Sequence, residues 1–341
     1  MSATVPPELA AFAAGSALER QPQVEAAAQP LRAALDEMRR VVSGQERLLE
    51  RLMLGLLADG HLLLEGLPGL AKTLAVRTLA TVVGGHHRRV QFTPDLLPSD
   101  LIGTMIYDQR SAEFTVQKGP IFTDVLLADE INRAPAKVQS ALLEAMQERQ
   151  ATIGGETHKL PPLFLVLATQ NPIEHEGTYP LPEAQLDRFL FKLIIAYPAR
   201  ADERAMLDRM TDGPPPEVRP VLTPEQILAA RLLAQQNHIE GSVKDYVLDL
   251  VLATRQPASI GLDALAPLIE YGASPRASLA LVRSAKARAI LHGRAWTTPE
   301  DVRDVAHDVL RHRIVTTYRA DAEGITTDAM VDQILARVAV P

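Results

Sequence analysis

The residues best suited to chemistry form a glycine-bearing octapeptide that ends in lysine and threonine. It reads Gly-Leu-Pro-Gly-Leu-Ala-Lys-Thr, follows the apolar run Leu62 to Leu64, and precedes a segment typical of a helix, Leu74 to Val82. Such a loop suits phosphate, because its backbone N–H groups and the positive end of the helix face an anion. The candidate nucleotide-binding residues are Gly66, Leu67, Pro68, Gly69, Leu70, Ala71, Lys72 and Thr73.

Lys72 and Thr73 carry the specific chemistry of this interpretation. The lysine would reach the β- and γ-phosphates of a nucleotide and contribute to catalysis, and the threonine hydroxyl would hold Mg²⁺. Ala71 departs from the usual pattern, which has glycine before the lysine; a Cβ is tolerated there only if φ is negative. By itself, the octapeptide is compatible both with a phosphate loop and with a strand–turn–helix that binds no ligand.

Two adjacent acids, Asp129 and Glu130, end the apolar run that starts at Val125. If this run is a strand of an open α/β sheet, its carboxyl end lies where ligands bind. Asp129 would then complete the Mg²⁺ site, and Glu130 would be the general base that polarises an attacking water. The alternative is that both acids cap the next helix. Their position roughly 57 residues after Lys72 favours the chemical role.

Three further positions combine a polar or flexible residue with the end of an element. The apolar run 163–168 ends in Thr-Gln-Asn-Pro, where Asn171 either orients a water or a γ-phosphate or starts an Asn-Pro turn. Val42 and Gly44 lie in a break that either provides a backbone ledge beside an adenine ring or simply joins two helices. Arg188 ends a short predicted helix, a position at which a lone arginine commonly binds carbonyl groups.

Composition limits the class of protein. With 341 residues, of which 47% are hydrophobic, the chain is long enough for two domains with apolar cores. The absence of cysteine excludes disulfides and thiolate ligands and suits a cytoplasmic location, and the scattered histidines predict no metal site besides Mg²⁺. With a net charge of −7 we do not expect nucleic acid as a partner, and no apolar run reaches the ~20 residues of a membrane span.

Hydrophobic periodicity divides the chain into three regions. Residues 1–30 are rich in Ala, Pro and Gln and predict a flexible or loosely helical leader. Residues 31–200 alternate strands with helices and contain two candidate hairpins, at 105–116 and 151–158, of which the first is alternatively an inserted loop. Residues 201–341 mainly carry the 3.6-residue period of helices and predict a helical second domain.

Taken together, these motifs resemble the MoxR group of AAA+ ATPases, within the helix-2-insert clade. Residues 66–73 are similar to the family's Walker A variant, in which alanine before lysine is usual, and residues 127–133 are similar to its Walker B motif. Residues 169–172 resemble sensor 1, residues 186–189 the arginine-finger segment, and residues 272–276 sensor 2. The order and spacing of these segments make the resemblance specific, and it covers nearly all of the chain except the leader.

The resemblance implies an α/β fold: a P-loop AAA+ core with a parallel sheet flanked by helices, followed by an all-α lid domain. It also implies hydrolysis of ATP with Mg²⁺ between the subunits of a homo-oligomer, a hexameric ring. Arg188 would reach into the neighbouring subunit's site to stabilise charge on the transferred phosphoryl group, with Arg133 as the rival for this role. Arg276 would report the state of the nucleotide to the lid.

The same resemblance implies a chaperone-like ATPase that remodels or matures partner proteins, often von Willebrand A domain proteins and sometimes metalloenzymes. One alternative is a nucleic-acid translocase, since related ATPases with this insert include helicases. The mixed charges of the two hairpins, without a basic and aromatic surface, argue against it. The other alternative is a nucleotide-gated scaffold with negligible hydrolysis, and Glu130 argues against that one because a scaffold needs no general base.

Overall fold

The computed structural model describes residues 17–66, 72–110, 112–171, 177–211 and 216–341. The first elements in chain order are α1 (Ala17–Val41), α2 (Glu46–Leu57), β1 (Leu62–Gly66), α3 (Lys72–Val82), β2 (His87–Gln91), α4 (Pro98–Ile102), β3 (Gly103–Asp108), β4 (Glu113–Lys118), β5 (Val125–Asp129), α5 (Ala136–Glu148), β6 (Gln150–Ile153), β7 (Glu156–Lys159), β8 (Leu165–Gln170), α6 (Glu183–Leu186), β9 (Phe191–Ile195) and α7 (Arg200–Thr211). They are followed by α8 (Pro224–Gln236), β10 (His238–Ile239), α9 (Gly241–Arg255), β11 (Ile269–Tyr271), α10 (Pro275–Leu291), β12 (Trp296–Thr297), α11 (Pro299–Leu310), β13 (Val315–Thr316), α12 (Tyr318–Glu323) and α13 (Thr327–Arg337). Short 3-10 turns cover Ile131–Arg133, Pro257–Ile260 and Asp263–Leu268.

Five parallel strands form a sheet in the order β2-β5-β8-β1-β9. The central strands β5, β8 and β1 are buried almost throughout, as expected for the apolar strands of a parallel sheet that helices cover on both faces. The predicted α/β core with a parallel sheet flanked by helices is thereby confirmed. Because only β8 separates β1 from β5, the carboxyl ends of these three strands lie side by side.

Helix α5 contributes an apolar stripe to the core of this sheet. Val138, Leu142 and Met146 recur every four residues, so they share one face of the helix, and all three are buried. They belong to one cluster with Leu126 of β5 and Val166 of β8. Helix α5 is therefore held on the sheet by this apolar face.

Both predicted hairpins form. Strands β3 and β4 pair antiparallel over their full length, as do β6 and β7. Gly154 and Gly155 make the second turn with φ values of 59° and 89°, which glycine adopts without strain. At the entry to the first hairpin Gly103 has a φ of 109°, and a Cβ there would lie 2.2 Å from the carbonyl oxygen of Gln117. That position requires glycine.

The chain forms two compact units. One comprises Ala34–Ile227 and contains the sheet and both hairpins, whereas the other comprises the described residues up to Ala33 together with Leu228–Pro341. The segment after residue 200 stays with the sheet unit as far as Ile227, where the N–H of Val221 donates to the carbonyl oxygen of Val82 at 2.9 Å. The division into domains 1–30, 31–200 and 201–341 stays a prediction.

Residues 17–30, for which composition predicted a flexible or loosely helical leader, lie in helix α1. Val24, Ala28 and Leu31 follow one another at spacings of four and three residues, and all three are buried. The helical alternative therefore applies to residues 17–30, where buried apolar residues at helical spacing stabilise the helix despite its two prolines. Residues 1–16 lie outside the described residues.

The second unit is mainly helical, as predicted for the lid, and also contains two short ladders, β10–β12 and β11–β13. Asp301, whose side chain is fully buried, accepts hydrogen bonds from Arg288 Nη1 at 2.6 Å and from Arg294 Nη1 at 2.7 Å. It also accepts from the N–H of Thr298, which caps α11. This network joins α10 to α11. No helix in the described part of the chain has the length and apolar content needed to cross a membrane.

Candidate functional site

The carboxyl ends of four strands bring the predicted polar segments to one edge of the sheet. Glu65 of β1 pairs with Gln170 of β8, and Asp129 of β5 pairs with Gln91 of β2. Asn171 follows Gln170 directly. In open α/β sheets this edge is the place where ligands bind.

Lys72 begins α3 and faces the acidic strand ends. Its Nζ donates a hydrogen bond to the carbonyl oxygen of Gly66. Burial lowers the pKa of Lys72, and the negative charges of Asp129, Glu130 and Glu65 oppose that shift. The lysine and the paired acids therefore occupy the same region of the sheet edge, the arrangement that the phosphate-loop interpretation requires.

The rest of the octapeptide is described only in part. Leu67, Pro68, Gly69, Leu70 and Ala71 lie outside the described residues. Gly66 ends β1 beside β9, where a Cβ would lie 2.8 Å from the carbonyl oxygen of Ile195, so the neighbouring strand leaves room only for glycine. Thr73 is exposed in the first turn of α3, where the backbone N–H groups of the helix favour an anion.

Thr169 connects the two acids. Its hydroxyl donates to Asp129 Oδ1 at 2.6 Å and accepts from the N–H of Glu130 at 2.8 Å. Thr169 is only 2% exposed, so water has little access to its hydroxyl. The buried hydroxyl therefore fixes the orientation of one carboxylate and of the backbone that carries the other.

Glu130 has an uncommon backbone conformation for a residue other than glycine, with φ 57° and ψ 49°. Its carboxylate accepts a hydrogen bond from Gln91 Nε2 at 2.7 Å and forms an ion pair with Arg133 Nε at 2.9 Å. Its side chain makes no capping hydrogen bond to the 3-10 turn that follows. The alternative that the two acids serve as helix caps thus finds no support in the described contacts of Glu130.

Arg89, on the edge strand β2, contacts the second oxygen of Asp129. Its Nη2 and Nε donate to Asp129 Oδ2 at 2.6 Å and 3.1 Å, and its Nη2 also donates to Gln91 Oε1 at 2.9 Å. Sequence reasoning missed Arg89, Gln91 and Thr169 as site residues. The two-residue period of a strand puts Arg89 and Gln91 on one face, but only the pairing of β2 with β5 shows that this face meets the acids.

The donors at this edge suit a magnesium nucleotide. Mg²⁺ prefers oxygen ligands, which the carboxylate of Asp129 and the hydroxyl of Thr73 provide, and it usually shares its coordination with substrate phosphates. Among the described residues no group of three or more His, Cys, Asp and Glu could hold a metal ion by itself. The site therefore fits a cation that arrives together with phosphate oxygens, and Lys72 supplies a positive charge for those phosphates.

The remaining predicted positions of the sheet unit lie at turns. Asn171 directly follows β8, and residues 172–176 lie outside the described residues. Val42 is buried, and Gly44 has a φ of 69°. A Cβ at Gly44 would lie 2.5 Å from the Cβ of Asp202, so this turn is packed tightly against α7. That packing accounts for the glycine without a ligand, and the adenine ledge stays a prediction.

The two other predicted arginines are exposed. Arg188 lines a cavity of about 430 Å³ together with residues of α5 and α6, namely Ser140, Leu143, Glu144, Gln147, Glu148 and Gln185. Its side chain forms no hydrogen bond or ion pair with the rest of the described chain. Arg276 lies in the first turn of α10 in the helical unit, where its N–H donates to Ser274 Oγ at 3.2 Å.

Two family models match the chain. The model described as "ATPase family associated with various cellular activities (AAA)" matches residues 61–191, and the AAA lid domain matches residues 263–334. The first match contains the octapeptide, both acids, Asn171 and Arg188. The second contains Arg276.

Whole-chain comparisons agree with these matches. The chain is 51% identical to "Chaperone MoxR1" of Mycobacterium tuberculosis over 91% of this chain and 82% of that protein. It is 36% identical to "Protein MoxR" of Paracoccus denitrificans over 88% of this chain and 93% of that protein. A crystal structure from Cytophaga hutchinsonii superposes with a TM-score of 0.89 at 47% identity and covers 96% of this chain and 100% of its own. The chain belongs to the MoxR family of AAA+ ATPases.

Proposed function

We propose that this protein is a Mg²⁺-dependent ATPase that works as a ring of identical copies and uses hydrolysis for chaperone-like remodelling of partner proteins. The observation that carries the proposal is the double contact of Thr169, which joins Asp129 and Glu130 at the sheet edge that Lys72 faces. A cation and two oriented carboxylates at one strand edge are the groups that transfer of a phosphoryl group to water needs.

Each residue of the edge has a distinct task in this proposal. Lys72 holds the β- and γ-phosphates, and Thr73 and Asp129 hold Mg²⁺, which would neutralise charge on the phosphate oxygens. Glu130 accepts a proton from the attacking water, which Asn171 helps to orient. Gln91 orients the carboxylate of Glu130, because its Nε2 donates a hydrogen bond to one carboxylate oxygen at 2.7 Å.

Arg188 is our choice for the arginine finger, the residue that completes the site of a neighbouring subunit. Arg133 pairs with Glu130 of its own chain at 2.9 Å and is therefore engaged in cis. Arg188 is exposed beside an open cavity and makes no ion pair with the described chain. An exposed arginine of this kind is available to a second subunit, where such a finger raises turnover by about 10³ to 10⁵.

The proposed roles of Arg276, Val42 and Gly44, and the proposed partners, rest on the family resemblance. Arg276 would sense the nucleotide from the lid, and Val42 with Gly44 would line the adenine. Proteins with a von Willebrand A domain are the proposed clients, in keeping with the chaperone name of the relative from M. tuberculosis. A hexamer is the proposed ring, and the cytoplasm is its proposed location.

Glu130→Gln tests the hydrolytic part of this proposal. The amide keeps the shape of the side chain but accepts no proton, so we expect ATP turnover to fall about 100-fold or more while ATP binding persists. Glu113→Gln, on the exposed hairpin strand β4, is the matched control and should leave turnover unchanged. Equal turnover of Glu130→Gln and the parent would contradict the assignment of the base and favour another acid.

Mixing two inactive variants tests the finger and the ring together. In a mixture of Arg188→Ala and Glu130→Gln, an intact Glu130 of one copy meets an intact Arg188 of the next. Random assembly should then recover about a quarter of the parent turnover. If Arg133 acts in cis, a mixture of Arg133→Ala and Glu130→Gln should recover no activity, because every copy then lacks either Arg133 or Glu130 at its own site. Recovery with Arg133→Ala but not with Arg188→Ala would reverse the two assignments.

A further inference from the structure

We propose that Arg89 is a positioning residue that holds the Asp129 carboxylate and competes with Mg²⁺ for it, so that it weakens the coupling between metal and nucleotide. The inference rests on the proposed ATPase function and concerns a residue that neither the motifs nor the family resemblance assigned. Arg89 lies on the edge strand β2, outside the octapeptide and outside the segment of the paired acids.

Both oxygens of Asp129 already have donors within the chain. Thr169 Oγ1 donates to Oδ1 at 2.6 Å, and Arg89 donates to Oδ2 twice, from Nη2 at 2.6 Å and from Nε at 3.1 Å. Two donors of one guanidinium on one carboxylate oxygen make a directed, charge-assisted contact. The carboxylate is thus fixed in direction before any cation approaches it.

The contacts of Asp129 with Thr169 and with Arg89 differ in how they affect the binding of a cation to the carboxylate. The hydroxyl of Thr169 is neutral and buried, so it can stay in place when a metal binds. The guanidinium of Arg89 carries a full positive charge, and a divalent cation at the same carboxylate is repelled by it. Arg89 must therefore give up Oδ2, or share it at an electrostatic cost, when Mg²⁺ reaches Asp129.

The position of Arg89 allows it to move away. Its side chain is 52% exposed, whereas that of Asp129 is 18% exposed, so water can solvate the arginine more readily than the carboxylate when the two separate. It also holds Gln91 Oε1 at 2.9 Å, and Gln91 in turn donates to Glu130. Withdrawal of Arg89 from Asp129 thus leaves the contact between Gln91 and Glu130 in place.

The size of the effect follows from this exposure. Exposed ion pairs contribute little because water and salt screen them, which corresponds to a change of about two- to fivefold in an equilibrium constant. The expected effect of Arg89 on metal-assisted nucleotide binding is therefore modest. It should also decrease as the salt concentration rises.

The test measures binding of a fluorescent, non-hydrolysable ATP analogue to the full chain, once with saturating Mg²⁺ and once with EDTA. For Arg89→Gln we expect the affinity in Mg²⁺ to rise about two- to fivefold and the affinity in EDTA to stay within about twofold of the parent. The gain should shrink between about 50 mM and about 500 mM NaCl, which a merely structural role of Arg89 would not cause.

Two variants serve as controls. Arg89→Lys keeps the positive charge and should bind the analogue as the parent does. Arg88→Gln removes a neighbouring arginine whose side chain points to the opposite face of β2, and it should have no effect.

Three outcomes would overturn the proposal. Weaker binding of Arg89→Gln in Mg²⁺ would make Arg89 a supporting group for the metal site rather than its competitor. Loss of affinity confined to EDTA would mean that Arg89 contacts the phosphates, and equal affinities of parent and variant in both conditions would leave Arg89 no role at Asp129. If the parent itself binds no nucleotide, the proposed function fails first, and that result is distinct from all three.

Discussion

Replacing Thr169 with valine removes one hydroxyl and keeps the branched shape of the side chain. In the structure that hydroxyl donates to Asp129 Oδ1 at 2.6 Å and accepts from the N–H of Glu130 at 2.8 Å. Thr169 is 2% exposed, so water cannot readily replace the hydroxyl. The variant therefore leaves a carboxylate oxygen without one donor and an amide N–H without an acceptor.

The cost of this change can be worked from the two bonds. A hydrogen bond to a charged group contributes about 1.5–3 kcal/mol and a neutral one about 0.5–1.5 kcal/mol. Because the side chain of Asp129 is 18% exposed and can still recruit water, the lower part of this range applies to its bond. We expect Thr169→Val to destabilise the sheet unit by about 2–3 kcal/mol, which lowers its Tm by roughly 4–12 °C.

Thermal unfolding followed by calorimetry measures this loss, and the ATP turnover of the folded variant measures its consequence at the site. Thr169→Ser is the matched control, since it keeps the hydroxyl and loses one methyl group, at a cost of about 1 kcal/mol. Turnover should fall at least tenfold in the valine variant and far less in the serine variant, because Glu130 loses the contact that fixes its backbone. A valine variant whose Tm stays within about 2 °C of the parent, or a serine variant as damaging as valine, would contradict this role of the hydroxyl.

Two further predictions concern the scaffold around the site. Burial would raise the pKa of Asp301, but hydrogen bonds from Arg294 and from the N–H of Thr298 outweigh it and hold the pKa below its ordinary value of 3.8. The carboxylate therefore contributes its full stability above pH 3.8, and this contribution is lost as the pH falls through the lowered pKa of the folded state. We expect Asp301→Asn to lower the free energy of unfolding by about 3 kcal/mol at pH 7 and by less in acid. Chemical denaturation at several pH values checks this, and a gap that widens toward acid would contradict it. Gly103→Ala should destabilise the first hairpin by about 2 kcal/mol or more, since its Cβ would lie 2.2 Å from a carbonyl oxygen. Gly155→Ala is the control, because Gly155 also has a positive φ but a Cβ there would have nothing within 4 Å. It should cost only the backbone strain of about 1–2 kcal/mol, without a steric clash. Hydrogen exchange measures the stability of both hairpins.

Several elements of the sheet unit were predictable because each has a strong local pattern. The apolar run that begins at Leu62 is β1, and the run from Val125 to Asp129 is β5. The two-glycine turn at Gly154 and Gly155 predicted a hairpin from the φ values that it needs, and the structure has those values. Local chemistry determined these elements, so local reasoning found them.

Helix α1 shows where local composition leaves two alternatives open. Residues 17–30 carry prolines and glutamines that favour a flexible segment, yet Val24 and Ala28 are buried. Contacts of this helix reach far along the chain: Gln21 Nε2 donates to the carbonyl oxygen of Gly293 at 2.6 Å. Packing at a separation of more than 200 residues cannot be found from a sequence window.

The contacts that orient the acids were hidden for a related reason. On its own, β2 is a polar segment in which only Val90 is apolar, and most of its residues are exposed. Pairing of β2 with β5 aligns Gln91 with Asp129, and the two-residue period then puts Arg89 on the same face. The strand order thus places Arg89 and Gln91 where they contact Asp129 and Glu130. The missing information was therefore where β2 begins and which strands are its neighbours, and any sheet edge built from non-consecutive strands conceals its polar contacts in the same way.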